Sequence, residues 1–517
     1  MSKIDDKVLN GIFEDVRKLS LKCHDFEKQF INKSDNGKSE EKSMKNNRMH
    51  LPDRYFQARN SVLTDLFEIK HISTIYRIFM VIFTLLLLNV FVSDFADTGK
   101  INLGQQTIIK GFSGFQNAIK IWICMQFSIF CIYPAFFIWT KATRKFFLLN
   151  GPFIAIWNLL GVLSVIAYQV AFISFSTKAV LDYKLGPAAS MALLMEVVRF
   201  MMKSHAFIRS SVPRAFKKKP LKKEVKSSDD SELEYDNDNS KIKINQSLPT
   251  FRQFSYFLFA PTLVYRDNYP RTQQIRWHFV LKCFLEVLSL LFILSFLFER
   301  TMQPTYSTFG SKFYEIGVKE LTTSVFNSML PGLLCFLCGF YGLLHAWQNA
   351  FAELLRFADR MFYLDWWNAT NFSVYYRTWN SIVHDWLYLY VYKDLYEHIF
   401  KRNRQICQFL VFSISAIFHE YILGFTFRFF YPVLFIEFQG IGVILFFLMR
   451  KDMKSLGNFL MWMSLAIGTG LLLSLYHMEY YARENCEYDK EKIINYFIPI
   501  SWSCNGLKYN KNWKLQF

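Results

Sequence analysis

Three things are missing from this sequence: a repeat of fixed period, a cleavable leader, and a second ligand pair beside its one CxxC. Without a repeat there is no solenoid or propeller to consider. The lack of an inverted repeat also weighs against a transporter with a midplane substrate site. The first 50 residues are polar and mixed in charge, with no short apolar core before small residues, so the first apolar run is expected to serve as an uncleaved anchor. The CxxC, Cys335 and Cys338, lies within an apolar stretch, so no metal and no redox role is expected there. Seven of the nine cysteines fall in or near apolar runs or in the N-terminal segment, where Cys behaves as a small hydrophobe.

What is present is length and grease. Hydrophobic residues make up 52% of the 517, and they are concentrated in runs rather than spread as amphipathic stripes. Tyr76–Val92 is the cleanest; others follow at 119–140, 152–176, 186–202, 279–298, 321–347, 406–427, 430–449 and 459–477. Most approach the roughly 20 residues that a helix needs to cross the hydrocarbon layer. The fold class expected is therefore all-α, a polytopic membrane protein of nine spans in a lipid bilayer. Lys and Arg cluster before the first run and at 141–145, 207–226 and 450–454, while the alternate connections are poorer in both. The positive-inside bias then puts the N-terminus and the basic connections in the cytosol and the C-terminal tail in the lumen. The net charge of +18 reads as topology and attraction to anionic headgroups, not as nucleic-acid binding. Cys486 and Cys504 both follow the last run, and an oxidising lumen would let them pair.

Three segments stand apart. Residues 1–54 are expected to be mostly disordered, with an amphipathic helix around 8–30 that could serve self-association. A charged cytosolic linker is expected at 207–250, and 506–517 form a lumenal tail. The aromatic stretch 254–277, broken by Pro261 and Pro270, is expected at the membrane interface. Between 348 and 405 lie Trp366, Trp367, Trp379 and Trp386 with no run long enough to span, which predicts amphipathic helices on the cytosolic face with aromatics at headgroup depth. A helix over 375–392 would put Arg377, Asn380 and His384 on one polar stripe.

His419 and Glu420 interrupt the apolar run SAIFHEYILGF. An ionisable group at membrane depth costs roughly 2–4 kcal/mol even on lenient scales, so such a residue points to a functional site. Glu420 lies about 100° round the helix from His419 and is expected to hydrogen-bond internally. Ser415 sits one turn before His419, but no GxSxG elbow surrounds it, so a nucleophilic Ser is not expected. Glu196 and Arg199, three apart, are expected to neutralise each other.

FYLDWWN (Phe362, Tyr363, Asp365, Trp366, Trp367 and Asn368 within it), RTWNSIVHDW at 377–386 and the intramembrane His419-Glu420 together resemble the sterol O-acyltransferases of the membrane-bound O-acyltransferase superfamily. LFEIKHISTIYR, YFLFAPTLVYRDNYPR, FNSMLPG and AFAELLRFADRMFY extend the likeness over 55–505, the expected catalytic domain. FYxDWWN is shared with diacylglycerol acyltransferases; HDWLY, YRDNYPR and the tail cysteines favour the sterol branch. The resemblance implies an enzyme of the endoplasmic reticulum, a homodimer or homotetramer. It would use acyl-CoA and a sterol as substrates, with no permanently bound cofactor. It implies His419 as catalytic base assisted by Asn380, and acyl-CoA contacts at Arg377, Asn380, His384, Tyr392, Arg404 and Ser415, with Lys401 and Arg402 adding basic charge. His71 aligns with a residue associated with a sterol site. Val374 stands where the family often has Asn, and Arg404 where it often has Lys. Diacylglycerol or a long-chain alcohol is the alternative acceptor, and a lipid transporter without chemistry the alternative of another class.

Overall fold

A computed structural model describes residues 54–99, 104–147, 153–216, 248–310, 318–400, 403–449, 453–489, 492 and 494–502. The N-terminal segment up to residue 53 with its expected helix, most of the central linker, Lys401, Arg402, Cys504 and the tail at 506–517 lie outside the described residues.

The described chain is all-α. In order come α1 (Lys70–Thr98), α2 (Phe115–Phe130), α3 (Ile132–Phe147), α4 (Phe153–Asp182), α5 (Pro187–Ala215) and α6 (Phe251–Phe259). They are followed by α7 (Trp277–Leu297), α8 (Val318–Gly339), α9 (Phe372–Thr378), α10 (Ser381–Leu387), α11 (Arg404–Phe427) and α12 (Lys454–Asn485). Seven stretches among the described residues are long and apolar enough to cross a membrane: α1, α2 with α3, α4, α7, α8 with its continuation to Leu354, α11 and α12. The chain is thus a multi-pass membrane protein. Phe79, Val81, Leu85 and Val92 of α1 all stay exposed, as expected of a helix surrounded by lipid rather than by protein.

Two of the nine expected spans do not qualify. Residues 186–202 belong to α5, which runs 29 residues but carries Glu196, Arg199, Lys203, Arg209 and Arg214. It is packed by α2, α3, α4 and α11, so protein rather than lipid answers its polarity. Glu196 pairs with Arg199 at 2.6 Å, as the spacing predicts, and Lys203 gives its ammonium to the carbonyls of Phe257, Leu258 and Ala260. The stretch 430–449 is broken: a short turn at Val433–Phe435, a π-helix at Ile436–Gly442, and Val443–Leu448. Its apolar helix covers only residues 433–446.

Three other expectations need correcting. The linker expected to begin at 207 begins later, because α5 continues to Ala215. Much of the aromatic stretch after 250 packs into protein rather than lying on the surface: Phe254, Phe257, Leu258 and Tyr265 are buried against Phe207 and one another, while Phe251, Phe259 and Trp277 stay exposed. Thr250 and Gln253 start its helix with a capping box. Trp366 also faces protein rather than lipid headgroups, because Phe336, Phe340, Trp379 and Trp462 enclose it.

Among the described residues the most extensive helix–helix contact is that of α8 with α12. A Cβ on Gly470 would come within 2.9 Å of the Val325 carbonyl, and one on Gly332 within 3.0 Å of the Thr469 carbonyl. Small residues let helices approach where lipid provides no hydrophobic drive between them. Polar contacts then fix the register: the Tyr306 hydroxyl meets Ser328 at 2.7 Å and donates to Ser474 at 2.9 Å, all three buried.

Candidate active site

His419 projects from α11. Its Nδ1 lies 2.7 Å from the Ser415 carbonyl and 3.5 Å from the Ser415 hydroxyl. A carbonyl can only accept, so Nδ1 carries the proton and Nε2 is left with its lone pair. The same contact spends the geometry that a Ser–His nucleophile pair would need. The ring stacks on Phe438 at 5.1 Å and 25°, yet its surface stays exposed although it sits deep in the bundle. The ring therefore keeps reachable surface in a densely surrounded position, unlike a packed-core histidine. Glu420 points elsewhere, buried, taking hydrogen bonds from the Phe435 amide at 3.1 Å and the Tyr476 hydroxyl at 2.8 Å.

The stripe expected over 375–392 is not one helix. The chain breaks at Asn380, which leaves helical φ/ψ (−139°, 88°) to become the N-cap of α10, its Oδ1 accepting from the Val383 amide at 3.1 Å. An amide oxygen fixed in this way leaves Nδ2 as an unspent donor. FYLDWWN holds this break in place. The Leu364 amide donates to the Thr378 carbonyl at 2.8 Å, and the Ser381 amide donates to the Phe362 carbonyl at 2.9 Å, one bond on each side of Asn380. Phe362, Tyr363 and Trp366 are buried, Trp366 edge-on to Trp379 at 4.7 Å, and the Tyr363 hydroxyl meets His345 Nδ1 at 2.6 Å. Asp365 and Asn368 are exposed at the ends of the turn. The motif is therefore a scaffold for the Asn380 turn.

The expected acyl-CoA residues line up in part. His384, Tyr388, Tyr392 and Tyr396 form a ladder of stacked rings 5.7–6.4 Å apart and within 17° of parallel. Arg404 lies beside Tyr396 at its far end. Arg377 is exposed, and among the described residues its Nε donates to the Ser373 carbonyl at 3.1 Å. Tyr388 and Tyr396 escape a reading based on motifs, although their spacing of four residues from His384 and Tyr392 could have revealed them. Tyr376 of α9 reaches toward the His419 side, its ring 4.9 Å from that of Phe412 of α11 and 6.2 Å from that of Phe438. No hydrogen bond joins Asn380 to His419 among the described residues. His71 is exposed in the first turn of α1 and makes no contact with this site. Cys486 is buried and is not among the free thiols, but its expected partner lies outside the described residues.

Burial, and then the charges of Arg377 and Arg54, lower the pKa of His384 from 6.5 to about 4. Asp385 lies 3.6 Å away but is engaged by Arg54, so it does little to offset them. The unfolded chain therefore takes up a proton near pH 6.5 that the folded protein refuses until about pH 4, and stability falls as pH drops through that window. In detergent, the drop in Tm between pH 7 and pH 5 should be smaller for His384→Gln than for the unaltered protein. Equal drops would mean that the ring is not held neutral.

The family model for MBOAT, the membrane-bound O-acyltransferase family, matches residues 108–478. The chain is 39% identical to sterol O-acyltransferase 1 of Mus musculus over 453 residues, covering 87% of this chain and 79% of that protein. It is 38% identical to sterol O-acyltransferase 1 of Rattus norvegicus, covering 95% of this chain and 90% of that protein. Against sterol O-acyltransferase 2 of Homo sapiens the identity is 35%, covering 87% and 80%.

Proposed function

The chain belongs to the membrane-bound O-acyltransferase family, and from that premise we propose that it transfers a long-chain acyl group from acyl-CoA to the 3β-hydroxyl of a sterol. The observation that carries the mechanism is the bond from His419 Nδ1 to the Ser415 carbonyl, which leaves Nε2 unprotonated, on a ring with exposed surface, to serve as a base. The sterol oxygen attacks the thioester carbonyl carbon and its proton passes to Nε2. The oxygen–carbon bond forms, the carbon–sulfur bond breaks, and the departing thiolate takes the proton as CoA thiol. Asn380 Nδ2 donates to the carbonyl oxygen as negative charge develops there.

The ring ladder, with Arg377 and Arg404 beside it, offers flat faces and cations to the nucleotide end of CoA. CoA enters from the cytosolic side and the sterol from the bilayer. The same reading places the chain in the endoplasmic reticulum as a homodimer or homotetramer, with a lumenal Cys486–Cys504 bridge and sterol esters destined for storage.

Acceptor competition tests this. In sterol-depleted membranes, labelled oleoyl-CoA is supplied with cholesterol, dioleoylglycerol or hexadecanol separately. Labelled ester is expected with cholesterol at a rate at least tenfold above the others, taking about 1.4 kcal/mol as the least useful discrimination. Product only with diacylglycerol or the alcohol would overturn the sterol assignment.

A further inference from the structure

The last described segment, 494–502, is tied to the C-terminal ends of α11 and α12. Arg483 of α12 donates through Nη2 to the Asn495 carbonyl at 2.8 Å and the Ile498 carbonyl at 3.3 Å. The Phe430 amide donates to the Tyr496 carbonyl at 2.8 Å, and Glu479 accepts from the Ile500 and Ser501 amides at 2.9 and 3.0 Å. These elements enclose a cavity of 290 Å³ that shares no lining residue with the site around His419.

Tyr480, Tyr488 and Tyr496 line it, together with Arg428 and Glu484. It is reachable from outside: Tyr480 and Tyr496 are 37% and 46% exposed, and Glu484, which lies beside Tyr480, is exposed as well. A further lining residue, Arg483, is already committed, with Nε on Glu479 at 2.6 Å and its guanidinium over Phe429 at 5.0 Å. Arg428 donates through Nη2 to the Leu185 carbonyl at 3.1 Å, but among the described residues no carboxylate pairs with it and no cation pairs with Glu484. One cleft therefore holds a cation and an anion whose charges are answered neither by each other nor by a neighbour. Arg428 also takes the left-handed backbone that ends α11, with φ 61°, a place that glycine usually fills. Such an outlier costs free energy and points to a side chain in use. The rim is apolar: Phe430, Ile494, Phe497 and Ile498 stay exposed, the rings of Phe430 and Phe497 5.9 Å apart. Both α11 and α12 are long enough to span, so their ends lie where hydrocarbon gives way to headgroups.

We propose that this cavity binds the headgroup of a phosphatidylcholine molecule from the surrounding bilayer, with the acyl chains lying against the apolar rim. A phosphodiester carries one negative charge, which the Arg428 guanidinium meets through paired N–H groups. A trimethylammonium group has no hydrogen bond to give, so it is held by tyrosine ring faces and by the charge of Glu484. An anionic headgroup would answer Arg428 and leave Glu484 facing its own sign. In the expected topology this leaflet is the lumenal one, opposite the proposed entry of CoA. The site is independent of which alcohol accepts the acyl group.

The test uses the full chain, purified in detergent and stripped of lipid. It is titrated with dioleoylphosphatidylcholine, dioleoylphosphatidylglycerol or water-soluble phosphocholine, and bound ligand is counted by native mass spectrometry. The choline lipid should bind at least about tenfold more tightly than the glycerol lipid, because only the former meets the rings and the carboxylate with a cation. Glu484→Gln and Tyr480→Leu should bring the two lipids within about twofold of each other by weakening the choline lipid alone. Arg428→Gln should weaken both lipids, and Arg428→Lys should restore part of the loss. Tm establishes that each variant folds; should Arg428→Gln unfold through its lost Leu185 bond, the exposed Glu484 and Tyr480 positions decide. Equal binding of the two lipids, or folded Glu484 and Tyr480 variants that keep the original ratio, would overturn the headgroup site. Phosphocholine bound as tightly as the intact lipid would overturn a membrane lipid as its occupant.

Discussion

Replacing His419 by alanine is expected to lower kcat for ester formation about 10²–10⁴-fold, the usual contribution of a positioned general base. KM for oleoyl-CoA should change little, because the nucleotide contacts proposed above are on the ring ladder with Arg377 and Arg404, and Ser415 alone among the proposed acyl-CoA residues shares the His419 turn. The fold should survive. The His419 side chain has one hydrogen-bonding nitrogen committed, to a carbonyl of its own helix, and a stacking contact with Phe438. Its exposed surface means that truncation enlarges an existing space rather than opening a sealed cavity. That exposure provides a second readout: free imidazole should reach the vacated position and restore part of the lost rate. A folded variant that turns over within about threefold of the unaltered protein, a difference too small for a lost base, would sink the mechanism.

Much of this arrangement was legible in the sequence, and the reasons are physical. Spans announce themselves by length and apolar composition alone, which is why seven of the nine expected ones hold. The two exceptions fail where that signal is ambiguous. Helix α5 looks like a span at 186–202, but its charges are satisfied by carbonyls at the end of α6, by each other, and by Asp267 and Asp394, a tertiary fact that composition does not carry. The break at Asn380 was also hidden, since RTWNSIVHDW has helical spacing throughout; the Leu364 and Ser381 backbone bonds that enforce the break come from a motif well upstream. The same bonds explain why FYLDWWN reads as a site motif while most of its side chains are packing.

Asn380 allows its two jobs to be separated, because each atom of its amide has one. Oδ1 caps α10 through the Val383 amide, and Nδ2 is the donor assigned to the thioester oxygen. Asn380→Asp keeps a capping oxygen, so Tm should stay near that of the unaltered protein. It replaces the donor by a second oxygen where negative charge develops, so kcat should fall at least 10²–10³-fold, the cost of losing about 2.7–4 kcal/mol of oxyanion stabilisation. Asn380→Ala loses both functions and should add about 0.5–2 kcal/mol of destabilisation from the missing cap. Asn380→Ser restores a cap and a shorter donor, and should fall between the two in rate with Tm recovered. If activity across the three variants instead followed the amount of folded protein, Asn380 would be a cap and nothing more, and the developing charge would need a different donor. If Asn380→Asp kept a kcat within about threefold of the unaltered protein, well short of the loss a missing donor entails, the amide would not touch the thioester at all.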